Sequence, residues 1–476
     1  MALRRQIPES RATWADPVRG LNLFDSEEDL VPGDARLMQN CVYRSGTRMR
    51  NGNTRVTPTA LGASLKVRGG HRYYFGGATP QKTRLLAYGT KIVTVSDTGV
   101  EVVLNSGMTN DKDTFFTTWS ISDIVYIANP SDVLRQYDGT TFSTVTGTAI
   151  PTARTGVVPI LDRLLAITTN GIERSNPRSA TVWSTNSAWA TFRPSRVGLF
   201  TALHPFTLRG VDTLYPGALA FQPNAYYVIT GTNFGADVTA ASAPTGEDSS
   251  IKLLDPNVGC SSPYSVTTVP GVGIFWFTTD LNVYFVPEGS LSGRYVGDRL
   301  RSNSSTAGIE SVNKAALDQV WMTYFDRYLI LGVPVGSNTY ATTQFWGDLR
   351  TLTEGTDFPT QPRGAWYGPM TGQTIGRVWR EDQQGEFQLR GGEGNSVTGV
   401  FVYNMLEAGR FQDAVGTADT NITMAYQSYF KGFGAASREK YIRSINLDLN
   451  NFVGTPTLDL LDLDGNIITG VAITAV

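Results

Sequence analysis

Histidine and cysteine are nearly missing from this chain: its 476 residues hold two of each, His71, His204, Cys41 and Cys260. So few histidines leave little scope for proton transfer near neutral pH. Neither stands at a spacing that would join a Ser or Cys nucleophile to a carboxylate. The cysteines lie far apart and in no metal-ligand pattern, so we expect two buried free thiols made in a reducing compartment. An excess of either charge is lacking too. Forty Lys and Arg face 42 Asp and Glu, a formal net charge of -2, which argues against holding nucleic acid by a uniformly basic surface. No stretch approaches the roughly 20 consecutive apolar residues that cross a bilayer. The N-terminus, MALRRQIPES, has no apolar run of a secretory signal. The expectation is a soluble chain.

Turn formers and strand formers are abundant instead: 49 Gly, 23 Pro and 11% aromatics, with many Val, Ile and Thr. The same unit of three or four short strands returns roughly every 40 to 60 residues. Six units begin near Gly70, Thr114, Gly156, Thr207, Gly273 and Gln319, and Gly376-Arg377-Val378-Trp379 opens one more partial sheet. Asp138-Gly139 between apolar strands is a hairpin signal, because a primed turn needs positive φ at both central residues. A small antiparallel sheet cannot cover both of its faces, so such units stack on one another. Closing them into a ring leaves only short edges, whereas a string of sandwiches needs fewer and longer sheets. Phe116, Trp276 and Trp321, read as one repeated aromatic position, favour the ring. The predicted fold is all-β: a β-propeller of about six blades over 69–402, an extended N-terminal arm over 1–68 and, over 403–476, a small C-terminal β module (favoured) or the closing strands of the last blade. Helical turns are expected only at 35–38, 311–316 and 403–411.

The arm is organised around residues 19–55. It has an apolar front (Leu21, Leu23, Phe24), an acidic turn (Glu27, Glu28, Asp29) and Pro32-Gly33. A helical turn is then predicted through Ala35, Leu37 and Met38, followed by a strand at Cys41, Val42 and Tyr43 and an arginine hairpin over 44–50. The apolar front is expected to pack on the propeller or to add the strand that closes the ring, while the hairpin meets a partner. Deleting 1–33 should then leave a folded propeller that no longer assembles. Further arginines cluster at Arg294, Arg299 and Arg301, and at Lys431, Arg438, Lys440 and Arg443. Such loops suit acidic partner loops or phosphate, the alternative being solvated turns at blade ends. The interface candidates are Leu21, Phe24, Arg44, Arg48, Arg50, Arg438, Lys440 and Arg443.

Sites for chemistry are sparse. No phosphate-cradling loop of the Walker or dinucleotide type occurs. In Gly289-Ser290-Leu291-Ser292-Gly293 a Leu stands where a nucleophile elbow needs Ser. Asp97-Thr98-Gly99 keeps only the Asp-x-Gly fragment of the turn typical of sugar-cleaving propellers, with Val95 and Val102 in the Ser and Trp positions. Asp459, Asp462, Asp464 and Asn466 offer oxygen ligands for calcium, but alternation with Leu and a closing Asp-Gly-Asn read more simply as a strand face and its turn. No catalytic residue, metal ligand or cofactor is expected.

Three patches resemble one family. The opening GLNLFDSEEDLVPGDARLMQNCVYRSGTRMRNG is similar to the start of tail hub or nozzle proteins of short-tailed bacteriophages. These chains begin with Gly-Leu-Asn and an acidic stretch and reach an Arg-x-Arg-x-Gly hairpin. ILDRLLAITTNGIERSNPRSATVWSTNSAWATF looks like a blade of that family, and YQSYFKGFGAASREKYIRSINLDL like its closing segment. The patches span 19–449. The resemblance implies a non-enzymatic virion tail subunit, six copies forming a ring below the portal and adaptor. That ring would carry tail fibre or needle proteins and touch double-stranded DNA as it leaves the capsid. Other readings are a carbohydrate-active or receptor-binding propeller, and a tail-tip or baseplate protein of a longer-tailed phage.

Overall fold

The computed structural model describes residues 17–25, 29–44, 46–76, 81–169, 171–183, 198–209, 214–230, 250–302, 304–305, 307–353, 364–383, 386–428, 457–461 and 467–472. The chain divides into two compact units, Met1–Phe430 and Lys431–Val476.

In the first unit, sheets of three or more strands follow one another in chain order. Sheet 1 comprises Val67–Phe75, Gln81–Tyr88, Lys91–Val95 and Glu101–Asn105, each antiparallel to the one before. Sheet 2 runs from Phe115–Trp119 to Phe142–Thr144, and sheet 3 from Val158–Ile160 to Gly171–Arg174. Sheet 4 runs from Ala202–Arg209 to Ser250–Asp255, and sheet 5 from Thr267–Val269 to Arg294–Tyr295. Sheet 6 is built on Trp321–Phe325, Tyr328–Val333, Thr343–Asp348 and Trp366–Met370. Sheet 7 is built on Ile375–Gln383, Glu386–Glu393 and Val402–Glu407.

Period-2 strands with apolar residues on both faces can be buried only between two neighbours. An apolar cluster fills each such interface. Tyr73, Leu85, Val125 and Ile127 join sheets 1 and 2, and Trp119, Tyr126, Leu164 and Ala166 join sheets 2 and 3. Similar clusters join 3 to 4, 4 to 5, 5 to 6 and 6 to 7. The last one, with Val67, Leu86, Val95, Trp379 and Val402, packs sheet 7 onto sheet 1. The circle is closed, and the fold is a β-propeller. The six repeat units read from the sequence are sheets 1–6, and the partial sheet foreseen at 376–379 is sheet 7.

Sheet 7 is complete because the N-terminal ribbon supplies its fourth strand, Gly52–Arg55, antiparallel to Val402–Glu407. The ribbon also extends sheet 6. Gly20–Leu21 pairs parallel with Trp366 on one side and with Asp34–Gln39 on the other, and Ala425–Ser428 forms the far edge. Several expectations are corrected here. Residues 35–38 are strand, because the bridge to sheet 6 outweighs the weak helical preference of an isolated turn. Residues 402–407 are likewise strand, the third of sheet 7. The described ribbon residues are therefore built into sheets 6 and 7, and the second compact unit begins at Lys431. The aromatic repeat is not one position either: Phe116 and Trp321 lie on first strands, Trp276 on a second.

Within the second unit Thr457–Leu461 pairs with Ile467–Ala472 as the expected hairpin. Asp459 lies on it; Asp462, Asp464 and Asn466 lie outside the described residues. Among the described residues no helix is long and apolar enough to cross a membrane.

Candidate assembly surface and the ring-closing seam

The ribbon is held by glycine geometry and by buried ion pairs. Gly20 has φ +71, and a Cβ there would run into the Trp366 carbonyl, so only glycine lets the chain approach sheet 6. Leu21 beside it is fully buried in the core between sheets 5 and 6. Asp34, 1% exposed, accepts from Arg19 Nε at 3.0 Å and Arg299 Nη1 at 2.9 Å through Oδ1, and from Asn22 Nδ2 at 3.1 Å through Oδ2. Arg50, 1% exposed, donates to both oxygens of Asp413, to Asn40 Oδ1 at 3.0 Å and to the Thr371 carbonyl at 2.6 Å.

These contacts sort the interface candidates. Leu21 and Arg50 are spent inside the chain and cannot meet a partner, which corrects that expectation. A buried guanidinium needs a complete set of acceptors, and the ribbon's own fold supplies them to Arg50. Phe24 remains 52% exposed. Arg44 and Arg48 are exposed on the hairpin formed by Cys41–Tyr43 and Thr47–Met49. Arg44 reaches Asp326 at 3.1 Å, but both side chains are more than half in solvent, so the pair contributes little. Arg438, Lys440 and Arg443 lie outside the described residues. Of the other loop arginines, Arg299 serves Asp34, Arg294 donates to the Leu352 and Thr353 carbonyls, and Arg301 reaches Glu310 at 3.2 Å.

The centre of the ring is occupied. Tyr264 belongs to the connection between sheets 4 and 5, yet its ring stacks on Phe115 of sheet 2 with centroids 4.7 Å apart. The Arg377 guanidinium of sheet 7 lies 3.8 Å from its centroid, and its hydroxyl donates to the Arg68 carbonyl of sheet 1 at 3.4 Å. A side chain that touches sheets 1, 2 and 7 from that position crosses the axis. Asp113 accepts from Arg68 and Arg377 at 3.2 and 2.6 Å, and Gln319 accepts from Arg377 at 3.0 Å. Burial opposes the charge on Asp113, but the two guanidiniums outweigh it and hold the carboxyl below its ordinary range.

Sheets 1 and 7 meet at a second ionic centre. Glu381, 2% exposed, accepts from Arg84 Nε and Nη2 at 2.7 Å each, from Arg390 Nε at 3.1 Å and from Trp379 Nε1 at 2.7 Å. Asp97 accepts from Arg84 at 2.9 Å and Arg72 at 3.2 Å. The Asp-x-Gly fragment thus anchors arginines, and Gly99 packs against Val56, Thr57 and Pro58 of the ribbon. Above this lies an open cleft of about 450 Å³ lined by Arg55, Val56, Pro58, Thr98, Arg410 and Asp419 among others. Arg55 and Arg410 share Asp419 at 2.6 and 3.0 Å.

His71 Nε2 lies 2.8 Å from Thr118 Oγ1, and His204 Nε2 2.7 Å from Thr268 Oγ1, tying first strands of adjacent sheets. Burial pushes both imidazoles down to about 4, so both are neutral near pH 7. Cys41 and Cys260 are buried free thiols, as expected, pushed up by burial to about 12 and about 11. Among the described residues no group of three His, Cys, Asp or Glu is placed to hold a metal ion.

Sequence reasoning missed Arg84, Glu381 and Arg390. Each sits on a strand among other polar residues, where a charge reads as the solvent face; Glu381 and Arg390 meet within sheet 7, and only sheet 7 closing on sheet 1 brings Arg84 to them.

No family model matches the sequence, and no curated protein does. Solved structures similar to it include YCF48 from Cyanidioschyzon merolae, 11% identical over 73% of this chain and 100% of that one, with a TM-score of 0.37. Another is apo AztD from Citrobacter koseri, 10% identical over 62% and 74%, TM-score 0.33. A third is the extracellular domain of the putative hybrid two component system BT4673 from B. thetaiotaomicron, 11% identical over 72% and 51%, TM-score 0.34.

Proposed function

We propose that this chain is a structural subunit of a phage tail, a hub or nozzle protein whose copies form a cyclic, homohexameric ring below the portal and adaptor. The reading rests on the resemblance of the three sequence patches. One observation carries it further: the ribbon is locked into sheets 6 and 7 yet leaves Phe24, Arg44 and Arg48 outside. An exposed apolar side chain and a cationic hairpin mounted on one ribbon suit a head-to-tail contact with an acidic loop of the next copy. Fibre or needle proteins would attach to the assembled ring, in the virion.

Tyr264 and Arg377 fill the propeller's own axis, so passing DNA would run between copies and not through one. Electron microscopy of the purified full chain tests this: rings are expected with a channel on the symmetry axis of the assembly. Arg44→Glu with Arg48→Glu should give folded monomers of unchanged melting temperature. A monomeric wild type, or rings that persist in the double variant, would count against the proposal.

A further inference from the structure

We propose that the cleft at the seam of sheets 1 and 7 binds a small molecule through an oxyanion group, phosphate or carboxylate. Arg55 donates Nε to the Gly416 carbonyl at 2.6 Å and Nη2 to Asp419; Arg410 donates Nε to the Asn53 carbonyl at 2.7 Å and pairs with Asp419 through Nη2. Those bonds fix both guanidinium planes and use two of the five N–H donors of each. Both side chains line the cleft and keep 20% and 25% of their surface exposed. Two guanidiniums held by backbone carbonyls on either side of one anion are a preorganised fork for a second, planar or tetrahedral, anion.

The surroundings agree with such a ligand. Arg55 and Arg410 exceed Asp419 by one positive charge, and below them Arg72, Arg84 and Arg390 exceed Asp97 and Glu381 by another. Glu407, which accepts from the Thr54 hydroxyl at 3.5 Å, cancels one of the two. Thr98, its hydroxyl 2.9 Å from that of Ser96, lines the cleft as a further polar contact, while Val56 and Pro58 give the body of the ligand an apolar wall. Asp419 is 38% exposed and occupies the position that the incoming anion competes for. It acts as an internal stand-in that sets the affinity.

No residue of the cleft belongs to the proposed assembly contact, so the two readings fail independently. Calorimetric titration of the full chain with inorganic phosphate and with acetate, at ionic strength matched by chloride, tests this one. Saturable binding of one or both is expected, and which one binds names the headgroup. Arg410→Gln should weaken it about tenfold or more, and Asp419→Asn should tighten it about tenfold, by removing the competitor. Should Arg410→Gln not fold, Asp419→Asn still decides. No saturable heat with either anion, or an affinity unmoved by Asp419→Asn, would overturn the proposal.

Discussion

Glu381 carries the heaviest single burden in the ring. Two guanidiniums and an indole N–H converge on it inside the seam, at 1% side-chain exposure. Burial alone would raise its pKa; the hydrogen bonds and charge of Arg84, then Arg390, more than reverse that and hold it below 4.5. A carboxyl with a depressed folded pKa adds stability above its unfolded value and loses it as pH falls through the folded value. Acid should therefore loosen the seam only below about pH 4.5, the ordinary glutamate value. Glu381→Ala removes the carboxylate that Arg84 and Arg390 share, leaving Arg84 with only Asp97 and the Ser96 carbonyl, and should cost roughly 3–5 kcal/mol in chemical denaturation at neutral pH. The loss should vanish in strong acid, where wild type and variant converge. Equal stabilities at pH 7 would show that the arginines find other acceptors.

At the scale of the element, the ribbon decides more than its length suggests. It adds strands to two sheets, fills the core between sheets 5 and 6 with Leu21, and anchors Asp34 to Arg299. Deleting 1–33 was expected from the sequence to spare the fold. The structure reverses that: the deletion removes Leu21 and Arg19, and losing one buried leucine alone costs roughly 2–5 kcal/mol. The truncated chain should melt markedly lower, and assembly defects in it would not isolate the interface. Gly20→Ala is the sharper variant. Positive φ and the Trp366 carbonyl both oppose a Cβ, and a loss of roughly 2–4 kcal/mol is expected in thermal or urea unfolding. A melting temperature equal to wild type would mean that the Gly20–Leu21 strand is dispensable.

For the whole molecule, closure is the governing event. Sheets 1–5 come from one continuous segment each, but sheet 6 takes Gly20–Leu21 and Asp34–Gln39, and sheet 7 takes Gly52–Arg55, from the other end of the sequence. Folding of sheet 7 is thereby tied to the N-terminal ribbon across more than three hundred residues, so unfolding should be cooperative across the ring. Removing 1–55 strips sheet 7 of its outer strand and of the Arg50–Asp413 pair. We expect protease to cut such a chain first within 375–407, with sheets 2–5 more protected. Uniform protection would show that sheets 1 and 7 close without the strand.

The strand repeats follow from the residues alone, because period-2 alternation and turn chemistry are local. Asp138-Gly139 and the runs at 273–277 and 283–287 become strands and turns at the expected places. The residues also determined that both thiols are buried and unpaired, because isolated cysteines among apolar residues need no partner. Tertiary structure decided which face each arginine takes. Arg48 and Arg50 are two residues apart, yet one lies in solvent and the other is buried on Asp413. Asp413 is distant in sequence, and only closure brings it there. The same holds for Tyr264 on the axis and for Arg55 with Arg410 at the cleft. Local residue preferences act over a few positions, whereas the partners of a buried charge are set by which sheets become neighbours.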